Sequence, residues 1–154
     1  MSTVALALGW EIKLVGRFLE ILQKEQEALK KGNPAVLPEL GAAKSELIIQ
    51  LNGAEDERNR LIGGSPEVVD RNSMQRWLDN NPQATQCRDL WHKLLELARE
   101  AKLMHELNGR LLALHLRQTG DALAILTKRN QENTIYSSDG QTTTYTGSRI
   151  VDSA

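Results

Sequence analysis

After Pro82 the chain runs fifty-one residues, to Asn133, without another proline and with only two glycines, Gly109 and Gly120, before turning into a stretch of Ser, Thr, Gly and Asp. Such a run predicts one very long helix starting near Gln83. About 47 helical residues would reach roughly 70 Å, some 25 Å more than either earlier helical segment can cover. Apolar surface on the excess length would then stand in water unless something else covers it, and soluble monomers usually avoid large contiguous patches of that kind.

The earlier segments are legible from their leucine spacing. Val4, Leu8, Ile12, Val15, Leu19, Leu22, Gln26 and Leu29 alternate steps of three and four, the seam of a coiled coil. Leu14, Phe18 and Ile21 widen that stripe enough for two neighbouring helices. Gly9 and Gly16 share a face, either to allow close helix approach or as tolerated surface glycines; both readings stay open. Lys30-Lys31-Gly32-Asn33-Pro34 then places cations and a left-handed stop at one helix end, and an N-cap and a first-turn proline at the next. The second helix repeats the seam at Leu37, Leu40, Lys44, Leu47, Leu51, Ala54, Arg58 and Leu61, and stops at Gly63-Gly64. Start and stop signals crowd residues 65 to 82, which predicts a short helix near 73 to 79 docked by Trp77 and Leu78.

In the last helix the seam is Leu90, Leu94, Leu97, Ala101, Met104, Asn108, Leu111, His115, Gln118, Ala122 and Ile125. It is apolar up to Met104 and interrupted by polar residues beyond, so the core should be driest around 90 to 104. The apolar pattern of the second half singles out Leu107, Leu111, Leu112, Leu114, Leu116, Leu123, Ile125 and Leu126 as a partner-binding surface, with Ile135 and Tyr136 as residues that would clamp a bound segment. A bend at Gly120 that folds the helix back would hide this surface instead. Residues 134–154 hold nine Ser or Thr and no leucine, too little apolar surface to order the segment by itself. The expected architecture is all-α: an antiparallel three-helix bundle or coiled coil with a long C-terminal helix, a short connecting helix and a polar flexible tail. Its division is a helical bundle domain over 1–133 and the tail over 134–154.

Composition narrows the function classes. Aromatic residues are only 4%, against 40% hydrophobic overall, which favours leucine-rich helix packing. A net charge of -1 with no basic run argues against a nucleic-acid partner. The single cysteine, Cys87, allows no internal disulfide, Glu11, Lys13 and Arg17 interrupt any signal peptide, and no window is apolar enough to span a bilayer, so a cytoplasmic protein without stable membrane insertion is expected. Asp89 and His92 make at most half a metal site, His105 and His115 do not point together, and the seams carry no inward carboxylate for a di-iron centre. Phosphate-loop, nucleophile-elbow and zinc-protease motifs are missing. The expectation is no catalytic residue, no cofactor and no metal.

Two antiparallel helices, a longer third helix, and the tail sequences Asn133-Thr134-Ile135-Tyr136-Ser137-Ser138-Asp139-Gly140 and Tyr145-Thr146-Gly147-Ser148-Arg149 together resemble the FlgN family of flagellar export chaperones. The resemblance covers essentially the whole chain. It implies a cytoplasmic, non-enzymatic chaperone of the flagellar type III secretion system. Such a chaperone binds the C-terminal segments of the hook-filament junction proteins, the hook-associated proteins, and delivers them to components of the export apparatus. It also implies capture by the C-terminal region, here roughly Leu107 to Tyr136. The competing class is a homo-oligomeric coiled-coil scaffold in which the same leucines self-associate.

Overall fold

The computed structural model describes residues 2–63 and 72–130; within them the chain forms four α-helices and one 3-10 turn: α1 (Thr3–Lys31), the turn Pro34–Val36, α2 (Leu37–Leu61), α3 (Ser73–Asn80) and α4 (Thr85–Asn130). No strand occurs among the described residues. The tail from 134 to 154, including Ile135 and Tyr136, lies outside them, as does Gly64.

Local chemistry sets the helix ends. Ser2 caps α1, its hydroxyl accepting from the Ala5 amide at 3.1 Å, which satisfies one of the orphan donors of the first turn. At the other end Gly32 adopts φ 65° and the Asn33 amide donates back to Ala28 O at 2.9 Å, the arrangement in which a left-handed glycine closes a helix. Asn33 makes no side-chain cap, contrary to the sequence reading; the 3-10 turn starting at Pro34 intervenes before α2. The short helix appears as expected, with Met74 and Leu78 buried and Trp77 only partly so. The Asn81 side chain donates to Trp77 O and Arg88 to Leu78 O, which occupies carbonyls at the end of α3.

Pairings across the bundle give its direction. Glu25 meets Lys44 and Glu11 meets Arg58, so α2 runs antiparallel to α1. Asn108 meets Leu22 and His115 meets Leu29, each 86 residues apart, so α4 runs parallel to α1. Both helices therefore point the same way, with α2 between them in sequence and opposite in direction.

Burial in α4 follows Cys87, Leu94, Ala101 and Asn108, seven residues apart, with Trp91 beside them. The sequence reading missed Trp91 on this line. Leu90, Leu97 and Met104 are the flank of the stripe, partly buried rather than central. Helix α4 packs mainly on α1 and meets α2 through Arg58 over the Trp91 ring, which draws Trp91 into the buried line. Gly9 and Gly16 are not close-approach sites, since a Cβ on either would meet nothing within 4 Å.

One residue off the α1 seam the core holds an inward carboxylate: Glu11 is 5% exposed and accepts from Arg58 Nη1 at 2.7 Å. Arg58 in turn stacks 4.7 Å from the Trp91 ring centroid, which ties all three long helices together. Burial pushes the Glu11 carboxyl up to about 7, outweighing the pull of Arg58, and Glu55 adds to the rise. The folded state thus holds this proton more tightly than the unfolded chain. The group's contribution to stability is full below its ordinary value of 4.5 and is lost as pH rises through about 7. We expect urea unfolding to show a loss approaching about 3 kcal/mol between pH 4.5 and 8 from this group, and Glu11→Gln to flatten that slope; an identical slope in the variant would exclude Glu11 as its source.

Candidate functional site

An offset of 86 sets Lys31, the last residue of α1, opposite Arg117 of α4. Helix α4 runs on to Asn130, so its last thirteen residues, about 20 Å at roughly 1.5 Å per residue, have no counterpart in α1. The helix passes through Gly120 without interruption, so the fold-back does not occur within the described residues.

That geometry decides where each expected surface residue sits. Leu107, Leu112, Leu114, Leu116, Leu123, Ile125 and Leu126 are all exposed, from 42% at Leu107 and Leu112 to 59% at Leu116. Leu111 is only half-buried, and belongs to the edge of the bundle. At about 100° per residue the exposed leucines and Ile125 spread over an arc of roughly 200°, from Leu114 through Leu126 to Leu116. Arg110, Arg117 and Lys128 fall within about 20° of one another on the opposite side. The free half of α4 is therefore amphipathic. Its charges are also unbalanced: Arg110, Arg117, Lys128 and Arg129 stand against Asp121, whereas residues 85 to 106 carry four cations and four carboxylates.

A polar node holds the last buried residue of α4, Asn108, nine residues before Arg117. Asn108, 2% exposed, donates through Nδ2 to Leu22 O at 2.8 Å and to Glu25 Oε1 at 3.1 Å. Lys44 reaches the same Glu25 from α2 at 2.9 Å. About two turns nearer the free end, His115 Nε2 donates to Leu29 O. His105 lies on the α2 side of the node; burial, and then Lys44, hold its pKa below the ordinary value, which favours the neutral ring. Between the start of α2, the end of α1 and α4 opens a groove of about 460 Å³, walled by Leu29, Leu37, Leu112 and Leu116 and bordered by Gly41 and Gly109. Sequence reading missed this groove because three separate helix segments build it; glycines inside two helices were the available signal.

No cluster of three or more metal-ligating side chains exists among the described residues, and none of their helices is long and apolar enough to cross a membrane. A long helix outrunning an otherwise closed bundle can be compared with known proteins. The family model described as FlgN protein matches residues 2–144. The chain belongs to the FlgN family. FlgN is a family of chaperones of flagellar assembly and export rather than of enzymes. A relative from Proteus mirabilis, described as flagella synthesis protein FlgN, is 27% identical over 143 residues, which covers 92% of this chain and 90% of that one. No solved structure gives a significant match. As a FlgN-family chain it has the all-α bundle and long C-terminal helix that the sequence suggested.

The node and the free half should respond differently to mutation. Asn108→Ala removes one buried and one partly buried hydrogen bond and is expected to cost about 1–3 kcal/mol in urea unfolding. Leu123→Asp, on exposed helix, should stay within about 0.5 kcal/mol of the parent. Equal losses at both sites would mean that the free half is covered within the folded chain.

Proposed function

We propose that the free half of α4 captures the C-terminal segments of the hook-filament junction proteins, keeps them soluble and unassembled, and delivers them in the cytoplasm to the export apparatus. The observation that carries this reading is the exposed apolar stripe from Leu112 to Leu126, which starts beside the last turns of α1 and runs past its end at Leu123, Ile125 and Leu126, in a chain of an export-chaperone family. A client segment that pairs into a coiled coil only after assembly exposes an apolar stripe beforehand. Laying that stripe on Leu112, Leu116, Leu123 and Leu126 is helix-in-groove recognition, read by residues three and four apart. Family membership supports the chaperone class, and the exposed residues supply a surface of matching chemistry. Ile135 and Tyr136 remain part of the proposed capture region as residues that follow it in the chain.

The same leucines would serve a homo-oligomeric scaffold, and a tight dimer in light scattering that Leu123→Asp/Leu126→Asp dissolves would favour that reading. On the chaperone reading, calorimetry with peptides of the junction-protein C-termini from the same genome gives binding by the full chain. The double variant Leu123→Asp/Leu126→Asp should weaken it at least tenfold with the thermal midpoint unchanged. Undiminished affinity in that variant would move the capture site elsewhere.

A further inference from the structure

The groove beside the polar node has features that packing within the chain does not account for. Gly41 and Gly109 border it from α2 and α4, and a Cβ on either would meet nothing within 4 Å. Neither has a positive φ. A glycine inside a helix costs roughly 1 kcal/mol relative to alanine, and here neither backbone conformation nor close helix approach requires it. Two polar atoms at the same place lack partners within the described structure: His105 Nδ1 and Asn108 Oδ1, the latter on a side chain 98% buried by its residue exposure of 2%. Buried polar atoms without a partner are uncommon and destabilising. Asn108 Oδ1 can only accept, because its Nδ2 already donates to Leu22 and Glu25. The groove therefore combines apolar walls, spare volume and a buried acceptor.

Leu112 and Leu116 belong both to this groove and to the free stripe of α4, so a helix lying on the stripe runs into the groove at its lower end. From this continuity, and resting on the capture reading above, we infer that the groove seats a bulky apolar side chain of the captured amphipathic helix, that a side-chain amide or hydroxyl beside it donates to Asn108 Oδ1, and that Gly41 and Gly109 keep the space open. Capture then has a fixed starting register: the client helix begins where α2 leaves off at Leu37 and proceeds along α4 toward Asn130. An apolar helix without a donor at the seated position leaves the buried acceptor unpaired and binds less well.

Filling the space tests this without weakening the fold. Gly41→Leu, Gly109→Leu and the double variant, all in the full chain, are followed by thermal unfolding, light scattering and calorimetry with the junction-protein C-terminal peptides. The expected result is an unchanged or higher thermal midpoint with affinity at least tenfold weaker. Full affinity in the filled variants, with Leu123→Asp/Leu126→Asp still abolishing binding, overturns the groove assignment and leaves the capture surface intact. Tighter binding in the filled variants identifies residues 131–154 of the chain itself as the occupant, and loss of a dimer identifies a second copy; either overturns the inference. Failure of the parent chain to bind any of the peptides overturns the capture reading, and this one with it.

Discussion

Everything about the exposed end of this molecule depends on the node at Glu25. That carboxylate takes Lys44 from α2 and Asn108 from α4, while Asn108 also holds Leu22 O. A leucine seam alone tolerates a slip by one heptad, because each row is followed seven residues later by a similar one. A buried polar contact does not, since a slipped register leaves its charges and amide unpaired in the core. Fixing Asn108 against Leu22 fixes the offset between α1 and α4, and the offset determines how much of α4 lies beyond the bundle.

A second node reinforces the first. Glu11, Arg58 and Trp91 join the same three helices, and from Glu11 to Glu25 and from Arg58 to Lys44 the separation is fourteen residues, two heptads, in each helix. Polar pairs at matching heptad positions therefore specify both ends of the α1–α2 pairing. They differ in environment. Glu11 is deep enough that its proton is retained toward neutrality, with Oε1 and Arg58 Nε lacking partners among the described residues beside a small cleft of about 80 Å³. A polar pair buried in this way adds little net stability, and a slipped register would leave both of its members unpaired in the core.

Much of this was legible in the sequence, and the misses have a common physical cause. Seam spacing gave α1, α2 and α4, the Gly32 stop, the docking helix at Ser73–Asn80 and the polar residues Lys44, Arg58 and Asn108 on their seams. Their partners were not read, because Glu11 and Glu25 each sit one residue off the α1 seam, next to Ile12 and Gln26, and a one-dimensional spacing does not say which flank faces a neighbour. Trp91 was missed for the same reason. The length mismatch needs only helix rise and accounts for the exposure of Leu123, Ile125 and Leu126; the capture role of the stripe is a separate inference. The groove was beyond reach, since its walls come from Leu29, Leu37 and Leu112, which only the parallel packing of α1 and α4 brings together.

The width of the free stripe carries a further consequence. The exposed apolar arc of α4 from Leu107 to Leu126 spans roughly 200° at about 100° per residue, and Leu123, Ile125 and Leu126 beyond Arg117 account for about 160° of it. One partner helix covers about half of such an arc. On the capture reading a client must then present two helical faces, or one helix together with a further segment, to leave no leucine row in water. The side bearing Arg110, Arg117 and Lys128 stays outside that contact, so the captured complex keeps a charged, hydrated back along the whole free half of α4. An arrangement of this kind hides the client's assembly surface without creating a new apolar one, which is what solubility of a chaperone complex requires.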